Sequence, residues 1–263
     1  SSSMSSLAPQ LHPSVREHHE PRVSATAMAE YLIGHADAQE TIVHNSRFAR
    51  TSIVAANQAA VRALRAYNCD PNRDKSALRI VKENLTAKAA LPDIKPKAKD
   101  EALRCIETIQ IFELSENALG LRGLPLVESP SFDALNIEGV ILSVQPHFLV
   151  QTSSGGVGAG LIRVAKAPDS TDCKMDETKR GRMEHRRELA RYLIAMFHML
   201  LNEQGRAYGT PDPGLSFVAD VRLGERIGAG ADHTARVRKI RAACRQIATL
   251  WPTIVPRKSV LKK

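Results

Sequence analysis

Residues 137–167, IEGVILSVQPHFLVQTSSGGVGAGLIRVAKA, decide the fold class. Ile137, Val140, Leu142 and Val144, then Phe148 and Val150, then Leu161, Ile162 and Val164 recur at strand spacing, with short links that predict antiparallel neighbours. The glycine-rich link Thr152–Gly160 resembles a phosphate-cradling loop only superficially. Such a loop leads from a strand into a helix whose N-terminal amides hold the anion, and here it leads into another strand with no Gly-Lys-Ser/Thr following. It reads as a flexible hairpin link.

Upstream, the pattern is helical. Ser24 or Thr26 caps a run with Met28, Tyr31 and Leu32 at helical spacing, ending near Gly34. Further helices are predicted over Ser52–Tyr67, Lys75–Ala90 and Lys97–Leu114, broken by Asp70-Pro71-Asn72 and by Pro92–Pro96. Downstream, the long helix Arg180–Gln204 buries Leu189, Leu193, Met196, Phe197 and Leu200. Leu215–Leu223 is a fourth strand, and Thr234–Leu250 is a last helix with Trp251 as a packing plug. The fold class is therefore α+β: a mobile tail over 1–22, a helical region over 23–120, a strand-bearing core over 121–255 and a basic tail over 256–263.

A chain of 263 residues with 43% apolar content can bury a substantial core. Its longest apolar run, Tyr192–Leu201, is far short of the ~20 residues a membrane span needs. Cys69, Cys105, Cys173 and Cys244 have neither disulfide nor zinc spacing, which points to reduced thiols in a cytoplasmic compartment. Net charge is +9, and Thr178–Lys263 holds 18 Lys or Arg against 7 Asp or Glu, so the positive charge belongs to the C-terminal third. That distribution suggests a polyanion partner. Arg180, Arg187 and Arg191 lie within about 40° on the helical wheel and would form an electropositive ridge, unless Glu184 and Glu188 pair with them. The last helix displays Arg236, Arg238, Lys239, Arg241 and Arg245.

The order helices, three strands, basic helix, strand, helix resembles the restriction-endonuclease-like PD-(D/E)XK superfamily, especially its RecB-like branch. Val23–Leu32 is similar to the opening helix of those nucleases, and Glu188-x-x-x-Tyr192 to their Gln-x-x-x-Tyr signature. The resemblance spans Val23–Trp251 and extends to uncharacterised bacterial proteins of this layout. It implies a mixed four-stranded sheet flanked by helices. In active members an Asp on the second strand and a Glu-x-Lys on the third hold a divalent cation and activate water. Here His147, Leu161 and Arg163 fall on the Asp, Glu and Lys positions.

Leucine cannot ligate a metal and arginine is a poor proton acceptor, so the resemblance implies a disabled site. The leading expectation is a noncatalytic protein that binds nucleic acid through Arg163, Lys166, Arg180, Arg187, Arg191, Lys239, Arg241 and Arg245, with phage defence, mobile elements or DNA repair as settings. A second is a protein-interaction module whose basic helix meets an acidic partner. A third is a Mg2+- or Mn2+-dependent DNase whose ligands have migrated to Asp133, Glu138, Asp220 or Glu225. Otherwise no cofactor and no membrane partner is expected. His147, His185 and His198 read as hydrogen-bonded structural histidines.

Overall fold

The structure, a computed structural model, describes residues 8–51, 55–166 and 176–263. The chain begins with β1 (Val15–Glu17), β2 (Arg22–Ser24), α1 (Ala25–Ile33), α2 (Ala36–Arg47) and β3 (Phe48–Arg50). Next come α3 (Gln58–Cys69), α4 (Lys75–Ala89), α5 (Pro96–Leu119), β4 (Leu126–Glu128), β5 (Leu135–Ile137), β6 (Val140–Ser143), β7 (Phe148–Gln151) and β8 (Gly156–Arg163). It ends with α6 (Asp176–Gln204), β9 (Thr210–Pro211), β10 (Phe217–Asp220), β11 (Glu225–Ile227) and α7 (His233–Leu250). This is an α+β protein with a helical N-terminal region followed by mixed sheets. Two calls fall outside the described residues in part: the expected start of the second helix at Ser52, and most of the loop Asp169–Thr178 together with Cys173.

The chain divides into two compact units, one from the described residues of 1–54 with 134–143 and 239–263, the other from 55–133 and 144–238. In the first unit, β6 pairs parallel with β2 (Val23↔Leu142) and antiparallel with β5 (Ile137↔Val140). The expected single strand over Ile137–Val144 is thus corrected: Glu138 (φ 51°) and Gly139 (φ 85°) turn the chain in the left-handed region, and a two-residue hairpin joins β5 to β6. Those strands are not in the sheet of β7 and β8, so the four-stranded sheet is not formed from the expected set.

Ser24 caps α1 as expected, its Oγ accepting the Ala27 N–H at 3.2 Å. The mobile tail over 1–22 is corrected across residues 8–22. β1 pairs with β3 (Val15↔Arg50), Leu11 bridges Leu261, and the His18 carbonyl accepts the indole N–H of buried Trp251 at 2.9 Å. Nor is 256–263 a tail, because Val260 is buried and the Arg257 N–H donates to His44 Nε2 at 2.9 Å. The helix α2 was not anticipated; it buries only Val43 and His44, too few apolar side chains to show a period.

In the second unit the sheet order is β11-β10-β8-β7-β4, with β9 added beside β8. β7 and β8 are antiparallel as expected, whereas β8 and β10 run parallel, which makes the sheet mixed. Leu64, Leu78, Ile109 and Phe112 of the helices share one buried cluster with Phe148, Val150, Ile162 and Phe217 of the strands. The predicted stripe of α6, Leu189, Leu193, Met196, Phe197 and Leu200, is buried throughout. Among the described residues, no helix is long and apolar enough to cross a membrane.

Candidate functional site

The residues placed on catalytic positions by the nuclease resemblance lie on the central strands of the second unit. His147 precedes β7, where its backbone N–H donates to Gly160 and its ring Nδ1 accepts the Ile162 N–H at 3.1 Å. With Nδ1 occupied as an acceptor, the ring proton sits on Nε2. Burial, followed by the nearby Arg65 guanidinium, pushes the His147 pKa down to about 4, so the ring is neutral at physiological pH. The structural reading of this histidine accounts for its δ nitrogen.

A pH dependence follows, since an unfolded chain protonates this imidazole near 6.5 and the folded one only near 4. The stabilising preference for the neutral ring is fully present above about 6.5 and is lost as pH falls toward 4. Urea unfolding should show the wild type losing about 2.5 kcal/mol more than His147→Gln on going from about pH 7.5 to about pH 4.5. Parallel losses in the two proteins would show that the ring is not held neutral.

Arg163, expected to contact nucleic acid, is instead buried beside the buried Asp220, with which it pairs in register across β8 and β10. Its Nη1 lies 3.7 Å from Asp220 Oδ2. The principal partner of that carboxylate is Arg186 of α6, whose Nε and Nη2 donate to its two oxygens at 2.8 Å each. The backbone N–H groups of Arg222 and Leu223 donate to Oδ1 at 3.1 Å, and Arg186 also reaches the Ala165 and Lys166 carbonyls. Asp220 is therefore spent on protein donors. Arg186 was missed because its partner is 34 positions away on another element, a spacing no periodicity reveals.

The electropositive ridge on α6 is corrected as well. Arg187 forms a bidentate pair with Glu225 of β11, at 2.9 and 2.6 Å, and this bond is the first cause of the lowered Glu225 pKa. Arg191 donates to Glu184 at 2.8 Å and Glu188 at 3.3 Å, the intrahelical pairing that was the alternative. Glu188 also takes two bonds from Arg236, which is buried rather than displayed. Of the predicted residues in this unit, Lys166 and Arg180 are exposed.

Lys239, Arg241 and Arg245 belong to the first unit and are all exposed. Only Arg245 among them has an ion-pair partner in the described residues, Glu138 at 3.2 Å. Lys239–Lys263 carries seven Lys or Arg and no Asp or Glu. Its last part, once seen as packed chain, lines a cleft of about 690 Å³ in which Lys258, Lys262 and Lys263 join Arg50 and His12. Arg50 was not anticipated as part of a basic surface, because the strand that carries it was not.

Three of the four acids considered as migrated ligands are each held by an arginine. Asp220 is held by Arg186, Glu225 by Arg187 and Glu138 by Arg245, while Asp133 is exposed in the loop before β5. Among the described residues, no group of three or more His, Cys, Asp or Glu side chains is arranged to hold a metal ion. No protein-family model, curated protein or solved structure matches this chain.

Proposed function

We propose that this protein binds nucleic acid through phosphate contacts and does not cleave it, on a scaffold related to the PD-(D/E)XK nucleases. The single observation that carries the reading is the segment Lys239–Lys263, with seven bases and no acid. Six of the seven, Lys239, Arg241, Arg257, Lys258, Lys262 and Lys263, are exposed and have no carboxylate partner among the described residues. Unpaired cations on a packed backbone attract a polyanion without first breaking an internal ion pair. Arg187 and Arg191 of α6 lack that property, so the proposed surface moves from their ridge to the C-terminal segment.

The nuclease kinship rests on element order and on the short matches Val23–Leu32 and Glu188-x-x-x-Tyr192, while His147, Leu161 and Arg163 depart from the Asp, Glu and Lys of active members. The absence of cleavage rests on the arginine partners of Asp220 and Glu225. Without a base-reading element, affinity would depend on salt and little on sequence.

The test is a fluorescent duplex titrated at several salt concentrations. If Arg50, Lys258, Lys262 and Lys263 each neutralise one phosphate, affinity should fall roughly 150-fold between about 50 and about 200 mM salt. Replacing Lys258, Lys262 and Lys263 together with Gln should reduce the logarithmic slope from about −3.6 to about −0.9. An unchanged slope, or no binding at the lower salt, removes the proposal. Binding to an acidic polypeptide but not to the duplex would transfer the surface to a protein partner.

A further inference from the structure

A second anion site is suggested by a pocket of about 490 Å³ in the second unit, formed between α3 and the start of β7. Gln58, Arg62 and Arg65 of α3 line it together with Glu128 of β4 and His147. Its polar lining is dominated by donors. Arg62 is exposed and has no ion-pair partner among the described residues, and Arg65 Nε is buried with no hydrogen-bond partner there.

His147 contributes through its tautomer. With Nδ1 accepting from Ile162, the ring carries Nε2–H, and no described group accepts from that nitrogen. The one acid, Glu128, is already held by Arg65 Nη2 at 2.8 Å. Two guanidinium groups and an imidazole N–H against a single neutralised carboxylate repel a metal ion and suit a tetrahedral oxyanion. The planar guanidinium fork matches phosphate oxygens. The volume exceeds that of one phosphate, leaving space for the ester group attached to it.

We propose that this pocket binds the phosphate of a nucleotide, with Arg62 and His147 Nε2–H as its ligands and Arg65 positioning the site through the His147 carbonyl, to which its Nη2 donates at 3.4 Å. The assignment extends the nucleic-acid reading, on which it relies only for the source of the phosphate. The donors belong to the second unit and the basic C-terminal segment to the first, so the two claims fail separately.

The experiment follows the His147 Nε2 resonance in protein labelled with 15N-histidine while inorganic phosphate is added at constant ionic strength. A saturable shift is expected, weakened about tenfold or more in Arg62→Gln, which removes a charged donor from an exposed position. The variant Lys258→Gln/Lys262→Gln/Lys263→Gln should retain the response. A 5′-phosphorylated oligothymidylate should then produce the shift and its 5′-hydroxyl counterpart a weaker one, which assigns the site to a strand end. Equal shifts from both would assign it to the strand backbone. No saturable shift with phosphate, an equal shift with chloride, or an unchanged affinity in Arg62→Gln would overturn the proposal.

Discussion

Asp220→Ala is expected to destabilise the protein by about 3–5 kcal/mol, because it removes the carboxylate that two buried guanidinium groups share. Arg186 is 1% exposed and Arg163 7%, and both face a carboxylate that is fully buried. Removing that carboxylate leaves two guanidinium groups without their shared counter-ion and leaves the Arg222 and Leu223 N–H groups without an acceptor. The loss is a large part of the 5–15 kcal/mol that a domain typically has in total, so the measurement is thermal or urea unfolding of purified protein beside the wild type. Should the variant not accumulate, Asp220→Leu combined with Arg186→Met supplies a second reading. Replacing the pair together by apolar groups should recover part of the stability, since the Arg186 charge goes with its partner while Arg163 and the Arg222 and Leu223 N–H groups still lose the shared carboxylate.

The same variant separates two roles for this aspartate. A carboxylate kept for a cation gains stability when removed, because like charges no longer crowd an empty site. A carboxylate kept for Arg186 loses it. Asp220→Ala as stable as the wild type would remove the ion cluster as the reason for this residue and return Asp220 to the set of migrated ligands.

Long elements with an apolar period were legible in the sequence. The stripe of α6 recurs over several turns, and Ser24 marks the start of α1 by a side-chain bond made within three residues. What was not legible depends on partners distant in sequence. Three-residue strands such as β1 have no period of their own and exist because β3 satisfies their backbone groups. The hairpin at Glu138-Gly139 escaped notice because glutamate seldom enters the left-handed region, so its apolar neighbours read as one uninterrupted strand.

The candidate site follows the same division. The helical wheel correctly aligned Arg187 and Arg191 on α6, but it had no means of showing Glu225 arriving from β11. Composition placed the positive charge in the C-terminal third, and the exposed bases of Lys239–Lys263 agree with it at that coarse level. Which bases are neutralised is a tertiary fact. Arg163 illustrates this most sharply: a residue chosen for its alignment with a catalytic lysine is buried against Asp220.

The glycines of β8 lead to the second large effect, a loss of about 3 kcal/mol in Gly158→Ala, near the upper end of the usual overpacking range. A Cβ at Gly158 would lie 2.4 Å from the carbonyl carbon of Leu215 and 2.6 Å from its oxygen. Those are backbone atoms with little freedom to retreat. The Asp212 N–H donates to the Val157 carbonyl at 2.9 Å, and Ser216 Oγ accepts the Ala159 N–H at 3.0 Å, clamping the chain on both sides of Leu215. At Gly160 the obstacle is the Phe217 ring, 2.2 Å away. Glycine at alternate positions of a strand thus clears one face for the segment 215–217, which explains a motif that otherwise looks like a flexible loop. Gly181 on α6 is the matched control, with nothing within 4 Å of its missing Cβ. Gly181→Ala should therefore stabilise the helix by about 0.5–1 kcal/mol, the ordinary gain from leaving glycine in a helix interior. Urea unfolding of both variants decides the point: similar small shifts of the same sign would mean that β8 has room on this face and that its glycines serve flexibility.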